Sequence, residues 1–554
     1  RVVLHGREKS ERLYLSLSGG RKTMSADMQD AGNLFGCDAM LHVVPSDKMP
    51  ESMKDDNQTG PVPPEYNNAF VPLLVNGHVD TSLVVAGDNE PVKAGDYPLP
   101  AGDDMVIRFD EDKKLEAEIQ ERKNRSSRLY ANFYSMISGP KDGRNRRDVF
   151  RKLYFLHPDI LRKIQEYELG KDGDRDRRII LSLPKTELHT HLGGVLSPAE
   201  IIKAAKTEQD YIADKNTPFS VKFQRHIQKI LSYEGRLQDF ETEVFGEYLN
   251  EDKFFRIDIT PYEKLGDWQG SKLLQTKSTI GKAVRLYAQK LVADNVRYVE
   301  LRCSPYNYTK LGLSVSDVLD CIMDGMDEFD DRLEYRLICI IGRQSEKDSI
   351  QENIQLLQEA YKKNERFAAK LAGIDLAGNE AKGKPSELRE SFMPLLKDCV
   401  HITIHAGETE DVESIWEAVY HLSADRIGHG LKLKDKPELL RHFVDRGIGV
   451  EMCPSSNDQI VGYRDKPGSY PLLDYLNEGL KVSLNTDDCG ISRTSNTDEF
   501  LKAASLCPGL TLWDCIILIR NALSTAFCDS KTKTRLMHDF EDVMLDICEK
   551  EFAR

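Results

Sequence analysis

The sequence predicts an α/β protein in two parts, a small βαβ unit followed by a (β/α)₈ barrel, and three observations lead there. Residues 12–44 read strand, turn, helix, strand, the pattern of a parallel α/β sheet. Eight short apolar runs then alternate with helical segments over about 370 residues, which suits a barrel with insertions. Finally, at 554 residues the chain is too long for one ordinary core.

In chain order, Leu13 to Leu17 is rich in strand-compatible apolar residues, Gly19 and Gly20 turn, a helix runs through Phe35, and Ala39 to Val44 returns as a strand. From Pro45 to Asp104 the chain is rich in Pro, Gly and Asp and reads as loops and edge strands, including Ala69 to Val75. Stretches 111–138 and 148–168 read as charged helices parted by Gly139 to Gly143, a connector closed by the polar loop 170–174. The candidate barrel strands are 185–191, 296–302, 335–341, 371–376, 400–405, 425–429, 447–452 and 481–486. The stretch 195–290 is an insertion placed to cover a site. The expected divisions are a sensor-like domain over 1–110, a helical connector over 111–178 and a barrel over 179–554.

A formal net charge of −15 argues against a long nucleic acid as main partner, since phosphate contacts need Lys and Arg. Eleven scattered cysteines without a Cys-x-x-Cys pair suit a reducing cytoplasm, so the sequons at Asn57 and Asn307 read as accidental. No apolar run is long enough to span a bilayer and no signal-peptide pattern opens the chain, so a cytoplasmic protein is expected. The chain starts at Arg1 rather than Met, and a preceding first strand is expected to be missing.

Pro184-Lys185-Thr186-Glu187-Leu188-His189-Thr190-His191 is the most informative stretch. Residues i and i+2 of a strand share a face, so His189 and His191 can aim both imidazoles at one metal, an arrangement that suits Zn²⁺. His405-Ala406-Gly407-Glu408, Arg426-Ile427-Gly428-His429-Gly430 and Ser483-Leu484-Asn485-Thr486-Asp487-Asp488 each follow an apolar run. They add a third imidazole, a carboxylate, a free Glu and a further His. In a (β/α)₈ barrel such strand ends build the active site.

In order and spacing these four motifs resemble the adenosine/AMP deaminase branch of the amidohydrolases, over roughly residues 180–550. The resemblance implies one Zn²⁺ per subunit held by His189, His191, His405 and Asp487, and a metal of that kind activates water near neutral pH. It implies that Glu408 protonates adenine N1, that His429 orients or deprotonates the attacking water, and that Asp488 meets N7. Gly378, in Leu376-Ala377-Gly378, matches the glycine whose backbone N–H meets N3. The Pro-Cys-x-x-Cys pattern of cytidine-type deaminases does not occur. Gly373 to Gly378 offers no bridging Lys, which favours one metal over two.

One departure concerns specificity. Simple adenosine deaminases carry an Asp two positions after the second His, on the ribose 5′-hydroxyl; here Gly193 stands there. Its absence removes a ribose contact and a source of repulsion, so a 5′-phosphorylated substrate is expected, with Lys272 and Lys277 as candidate phosphate partners. A neutral loop substitution is the alternative.

Ser18-Gly19-Gly20-Arg21-Lys22-Thr23 lies between a strand and a helix, where free N–H groups and two cations attract anions. It is not a Walker A loop, because Arg21 intervenes before Lys22. The stretch from Leu17 to Val43 resembles the CRISPR-associated Rossmann-fold (CARF) sensor domains, which bind cyclic oligoadenylates as dimers, and the whole resembles the CRISPR ancillary deaminases. The resemblance implies a cyclic-oligoadenylate-activated deaminase converting ATP to ITP in type III CRISPR antiviral defence. Cyclic tetra- or hexa-adenylate would be the activator, and a homo-oligomer built on dimers, a hexamer among the arrangements, is expected. The alternatives are an ungated adenosine or AMP deaminase, a non-catalytic nucleotide-binding scaffold, and an N-terminal unit that cleaves its own activator.

Overall fold

The computed structural model describes residues 12–18, 22–45, 69–76, 149–150, 152–153, 156–246, 255–257, 259–343 and 345–552, with residues 3, 6, 117, 120, 121 and 124 singly. The chain forms two compact units: Arg1–Pro140 with Arg151–Leu161, and Lys141–Phe150 with Arg162–Arg554. All eleven cysteines are free thiols, ten of them buried. No helix among the described residues is long and apolar enough to cross a membrane.

In the first unit β1 (Tyr14–Ser16) and β2 (Ala39–Pro45) run parallel, with the helix Lys22–Phe35 between them in the chain. β3 (Phe70–Asn76) pairs antiparallel on the other side of β2. The βαβ pattern follows from its apolar face: Leu15, Leu17, Leu34, Phe35, Cys37 and Met40 pack into one buried cluster. Asp38 locks the crossover by accepting from Leu13 N at 2.7 Å. This is the parallel pair expected from the sequence, extended by an antiparallel edge strand.

The second unit is an eight-stranded parallel sheet in chain order: β4 (Lys185–His191), β5 (Val296–Cys303), β6 (Glu334–Gly342), β7 (Leu371–Ala377), β8 (His401–Ala406), β9 (Arg426–His429), β10 (Gly449–Met452) and β11 (Lys481–Leu484). It closes into a barrel where the chain passes β11: Thr190 bridges Asp487, His191 N donates to Asp487 O at 3.0 Å, and Asp487 N donates to His189 O at 2.9 Å. The seam of the barrel therefore joins two histidine positions to an aspartate directly through the backbone. Glu187 reinforces it by accepting from His189 N at 2.9 Å and from Thr486 N and Oγ1 at 3.0 and 2.7 Å.

Barrel strands usually fill their interior with branched apolar residues. Here alternate positions carry Glu187, His189, Glu300, Arg302, Asp375, Thr403, His405, Arg426 and Glu451, all buried. Period-2 alternation sends them to the same side of the sheet, and burial forces them to pair. Within the insertion, the helix Ile259–Gln269 crosses the C-terminal mouth. Just past its end, Gly270 approaches Gly193 so closely that a Cβ there would stand 3.2 Å from Gly193 Cα.

Candidate active site

Four donor atoms converge at the C-terminal end of the barrel. His189 Nε2 lies 3.0 Å from His405 Nε2, 3.3 Å from His191 Nε2 and 3.4 Å from Asp487 Oδ1. His191 Nε2 lies 3.2 Å from the same oxygen. Ligands about 2.0–2.1 Å from a tetrahedral Zn²⁺ stand ~3.3 Å apart, the edge of that tetrahedron. His189, His405 and Asp487 also belong to a compact ligand group that includes His429.

The protonation states agree with ligation. His189 Nδ1–H donates to Glu451 Oε2 at 2.9 Å, and His405 Nδ1–H donates to Asp375 Oδ1 at 3.0 Å. Each carboxylate fixes its ring with the Nε2 lone pair free, so two lone pairs face each other at 3.0 Å and call for a cation between them. Burial pushes His405 down to about 4, which keeps it neutral. Burial opposes ionisation of Asp487, but the imidazoles of His189 and His191 beside it prevail and hold it well below the usual carboxylate range.

Beneath these ligands lies a charged lattice. Arg302 bridges Asp375 Oδ2, at 2.8 Å, and Glu451 Oε2, so one guanidinium joins the two carboxylates that orient the two histidines. Arg426 Nε donates to Glu451 Oε1 at 2.6 Å and its Nη2 binds Glu300. Burial penalises charge on Glu451, yet Arg302 and Arg426 outweigh it and keep the carboxyl ionised.

Glu408 and His429 stand beside the donors. Asn457 connects them: its Nδ2 donates to His429 Nδ1 at 2.9 Å and to Glu408 Oε1 at 3.4 Å. Its Oδ1 accepts from Tyr470 OH at 2.9 Å and from Cys453 N at 3.2 Å. A backbone N–H only donates, so the orientation of the Asn457 amide is determined, and Nδ1 of a neutral His429 must be its unprotonated nitrogen. Burial pushes His429 well below its ordinary pKa. Burial, followed by the charges of Asp487 and Glu380, pushes Glu408 well above its own. The pair is thus a neutral imidazole with Nε2–H and a buried carboxyl whose pKa is raised.

A cavity of about 350 Å³ opens onto this cluster, lined among others by His191, Gly193, Gly378, Glu408, His429, Asp487 and Asp488. The three substrate positions expected from the sequence therefore share one cavity with the donors. Gly378 has φ 101°, a conformation only glycine adopts freely, where β7 gives way to its loop. A Cβ on Gly194 would stand 1.6 Å from Asp488 Oδ1, so Gly194 holds open the place of that carboxylate. His429 and Asp487 have φ of 63° and 59°, strain of ~1–3 kcal/mol each that the surrounding lattice sustains.

Of the candidate phosphate partners, Lys272 lies 3.5 Å from Asp267, which lines the cavity, whereas Lys277 pairs with Asp317 at 3.2 Å and is not among the lining residues. In the first unit Ser18 Oγ donates to Val43 O at 3.1 Å at the C-terminal ends of β1 and β2. Lys22 and Thr23 open the helix Lys22–Phe35. Gly19, Gly20 and Arg21 lie outside the described residues. Sequence reading missed Asp375, Glu380, Glu451, Asn457 and Arg302. Arg302, Asp375 and Glu451 were marked only as charged residues inside apolar runs, and Glu380 and Asn457, in polar stretches, carried no such mark.

The adenosine deaminase family profile matches residues 249–543, and a profile described as CRISPR-associated protein NE0113 matches residues 1–67. An adenosine deaminase from Clostridium botulinum (strain Loch Maree) is 31% identical over 353 residues, 63% of this chain and 95% of that protein. The fold is similar to that of a cog1816 amidohydrolase from Burkhoderia ambifaria solved with bound Zn (TM-score 0.55, 21% identity, 70% of this chain and 97% of that one). It is also similar to that of the Arabidopsis N6-mAMP deaminase (TM-score 0.53, 24% identity, 66% and 99%). With the profile spanning over half of the residues, and the histidines, Asp487 and Glu408 gathered at one barrel mouth, the chain belongs to the adenosine deaminase family.

Proposed function

We propose that the second unit is a zinc-dependent hydrolytic deaminase of adenine nucleotides, with ATP as the preferred substrate, and that the first unit gates it by binding a cyclic oligoadenylate. The observation that carries the chemistry is the convergence of three imidazoles and one carboxylate at tetrahedral spacing beside a buried carboxyl whose pKa is raised.

His189, His191, His405 and Asp487 would hold the ion, and when bound it supplies Lewis-acid activation of water. Glu408 donates its proton to N1, which makes C6 electrophilic. Asn457 occupies Glu408 Oε1 and leaves Oε2 for that transfer. His429, with its proton on Nε2, orients the attacking water as a hydrogen-bond donor rather than taking a proton from it. Asp488 and the N–H of Gly378 fix the purine by N7 and N3. Of the two protons the attacking water gives up, one leaves with the amino group as ammonia and the other restores Glu408. The zinc found in the amidohydrolase of similar fold supports the choice of metal.

A phosphorylated substrate is favoured by Gly193, which leaves no carboxylate on that loop, and by Lys272 beside the mouth. Gating is supported by the CRISPR-associated match over residues 1–67 and by the parallel strand pair β1 and β2, since open α/β sheets take ligands at the carboxyl ends of their strands. A dimer-based oligomer follows from the same reading. Metal analysis tests the site: one zinc per subunit, severely reduced in His405→Ala. Competition among ATP, AMP and adenosine tests the substrate, and a higher specificity constant for adenosine would overturn the nucleotide preference.

A further inference from the structure

We propose that Glu380 is a positioning residue for Glu408: its carboxylate gathers three consecutive backbone N–H groups of the turn after β8 and thereby sets where the Glu408 carboxyl stands. The inference rests on the reading of Glu408 as the proton donor.

Glu380 is buried and lines the cavity. Its Oε1 accepts from Glu408 N at 2.9 Å and Thr409 N at 3.1 Å, while Oε2 accepts from Gly407 N at 2.7 Å and Ser414 Oγ at 3.0 Å. Successive N–H groups curved around one anion form a nest, and here the protein supplies the anion itself. The turn depends on Gly407 at φ 70°, where a Cβ would stand 2.4 Å from Ile415 Cδ1. Without Glu380, the buried Glu408 N and the partly exposed Thr409 N would lose this acceptor, Gly407 N would keep only the Ser414 hydroxyl at 2.9 Å, and the turn would relax to find water.

Two further observations favour this role. Glu380 lies two residues after Gly378, so the loop expected to meet purine N3 also holds the turn that carries the proton donor. The competing role, counter-ion to the buried Arg343, fits less well. Arg343 Nη2 donates to His405 O, and its Nε has no hydrogen-bond partner among the described residues. A carboxylate serving Arg343 would take up its planar fork of donors. Both Glu380 oxygens instead face the turn.

Hydrogen exchange of the zinc-loaded full chain tests the hold on the turn. In Glu380→Ala the amides of Gly407, Glu408 and Thr409 should exchange about tenfold faster or more, with zinc content unchanged. Unchanged protection would overturn the proposal. A double-mutant cycle then tests the route of action. Glu380→Ala should lower kcat ~10²-fold in the wild-type background and cause no further loss in Glu408→Gln. An equal loss in both backgrounds would show that Glu380 acts independently of Glu408, which also overturns the proposal. If Glu408→Gln itself turns over at the wild-type rate, the proton-donor reading falls, and the exchange result still decides whether Glu380 holds the turn. Should Glu380→Ala fail to fold, Glu380→Gln and Ser414→Ala carry the same comparison, with smaller increases in exchange expected.

Discussion

Asn457 shows how one uncharged side chain distributes protons around the site. All four of its hydrogen-bonding positions are taken, by Tyr470 and Cys453 on one side and by His429 and Glu408 on the other. Asn457→Asp replaces the donor with an acceptor, so the imidazole must take the other tautomer and Glu408 Oε1 loses its donor. We expect kcat to fall ~10–100-fold with zinc retained, checked by steady-state kinetics beside metal analysis. Glu408→Gln keeps the shape and removes the transferable proton. Turnover should drop ~10²–10⁴-fold or more while nucleotide still binds. The pH dependence has a definite sign. Burial raises the Glu408 pKa, so activity extends to higher pH than an ordinary carboxyl would allow and is lost as pH rises through the raised pKa. A kcat profile that rises steadily with alkalinity would contradict a proton-donor role.

Among the elements, close approaches set the limits. Gly428 precedes His429 on β9, and a Cβ there would stand 2.8 Å from His189 Cε1. Gly428→Ala should displace the His189 ring and weaken zinc retention about tenfold, measured by competition with a chelator. The same scale explains what was legible in the sequence. The eight apolar runs mark the eight strands, because a parallel strand covered on both faces needs apolar residues. Their ends shift by a residue or two: β11 stops at Leu484, short of the run through Thr486, because the chain turns there towards Asp487 at positive φ. The histidine and aspartate motifs were legible because each sits at a strand end. Glu451 and Asp375 were not, since a buried carboxylate earns its place from partners distant in the chain. Glu451 meets His189 across 262 positions, and no local pattern announces that pairing. The insertion was legible as a cover, but not the pairing of its lysines with Asp267 and Asp317.

For the whole molecule, the account joins a deaminase barrel to a unit whose first 67 residues match a CRISPR-associated family. An effector changes activity only through its differential affinity for two states. The double variant Arg21→Ala/Lys22→Ala should therefore weaken the response to cyclic tetra- or hexa-adenylate while zinc content stays full. A normal activator titration in that variant would remove the loop from its role. The deaminase reading itself is tested most directly by product analysis of the zinc-loaded full chain. Protein is incubated with ATP, AMP and adenosine, each with and without cyclic tetra- and hexa-adenylate, and bases and ammonia are quantified. The account predicts hypoxanthine-bearing product with equimolar ammonia, greatest from ATP with activator and abolished by a chelator or by His405→Ala. Adenine left intact by fully zinc-loaded protein under every one of these conditions would contradict it.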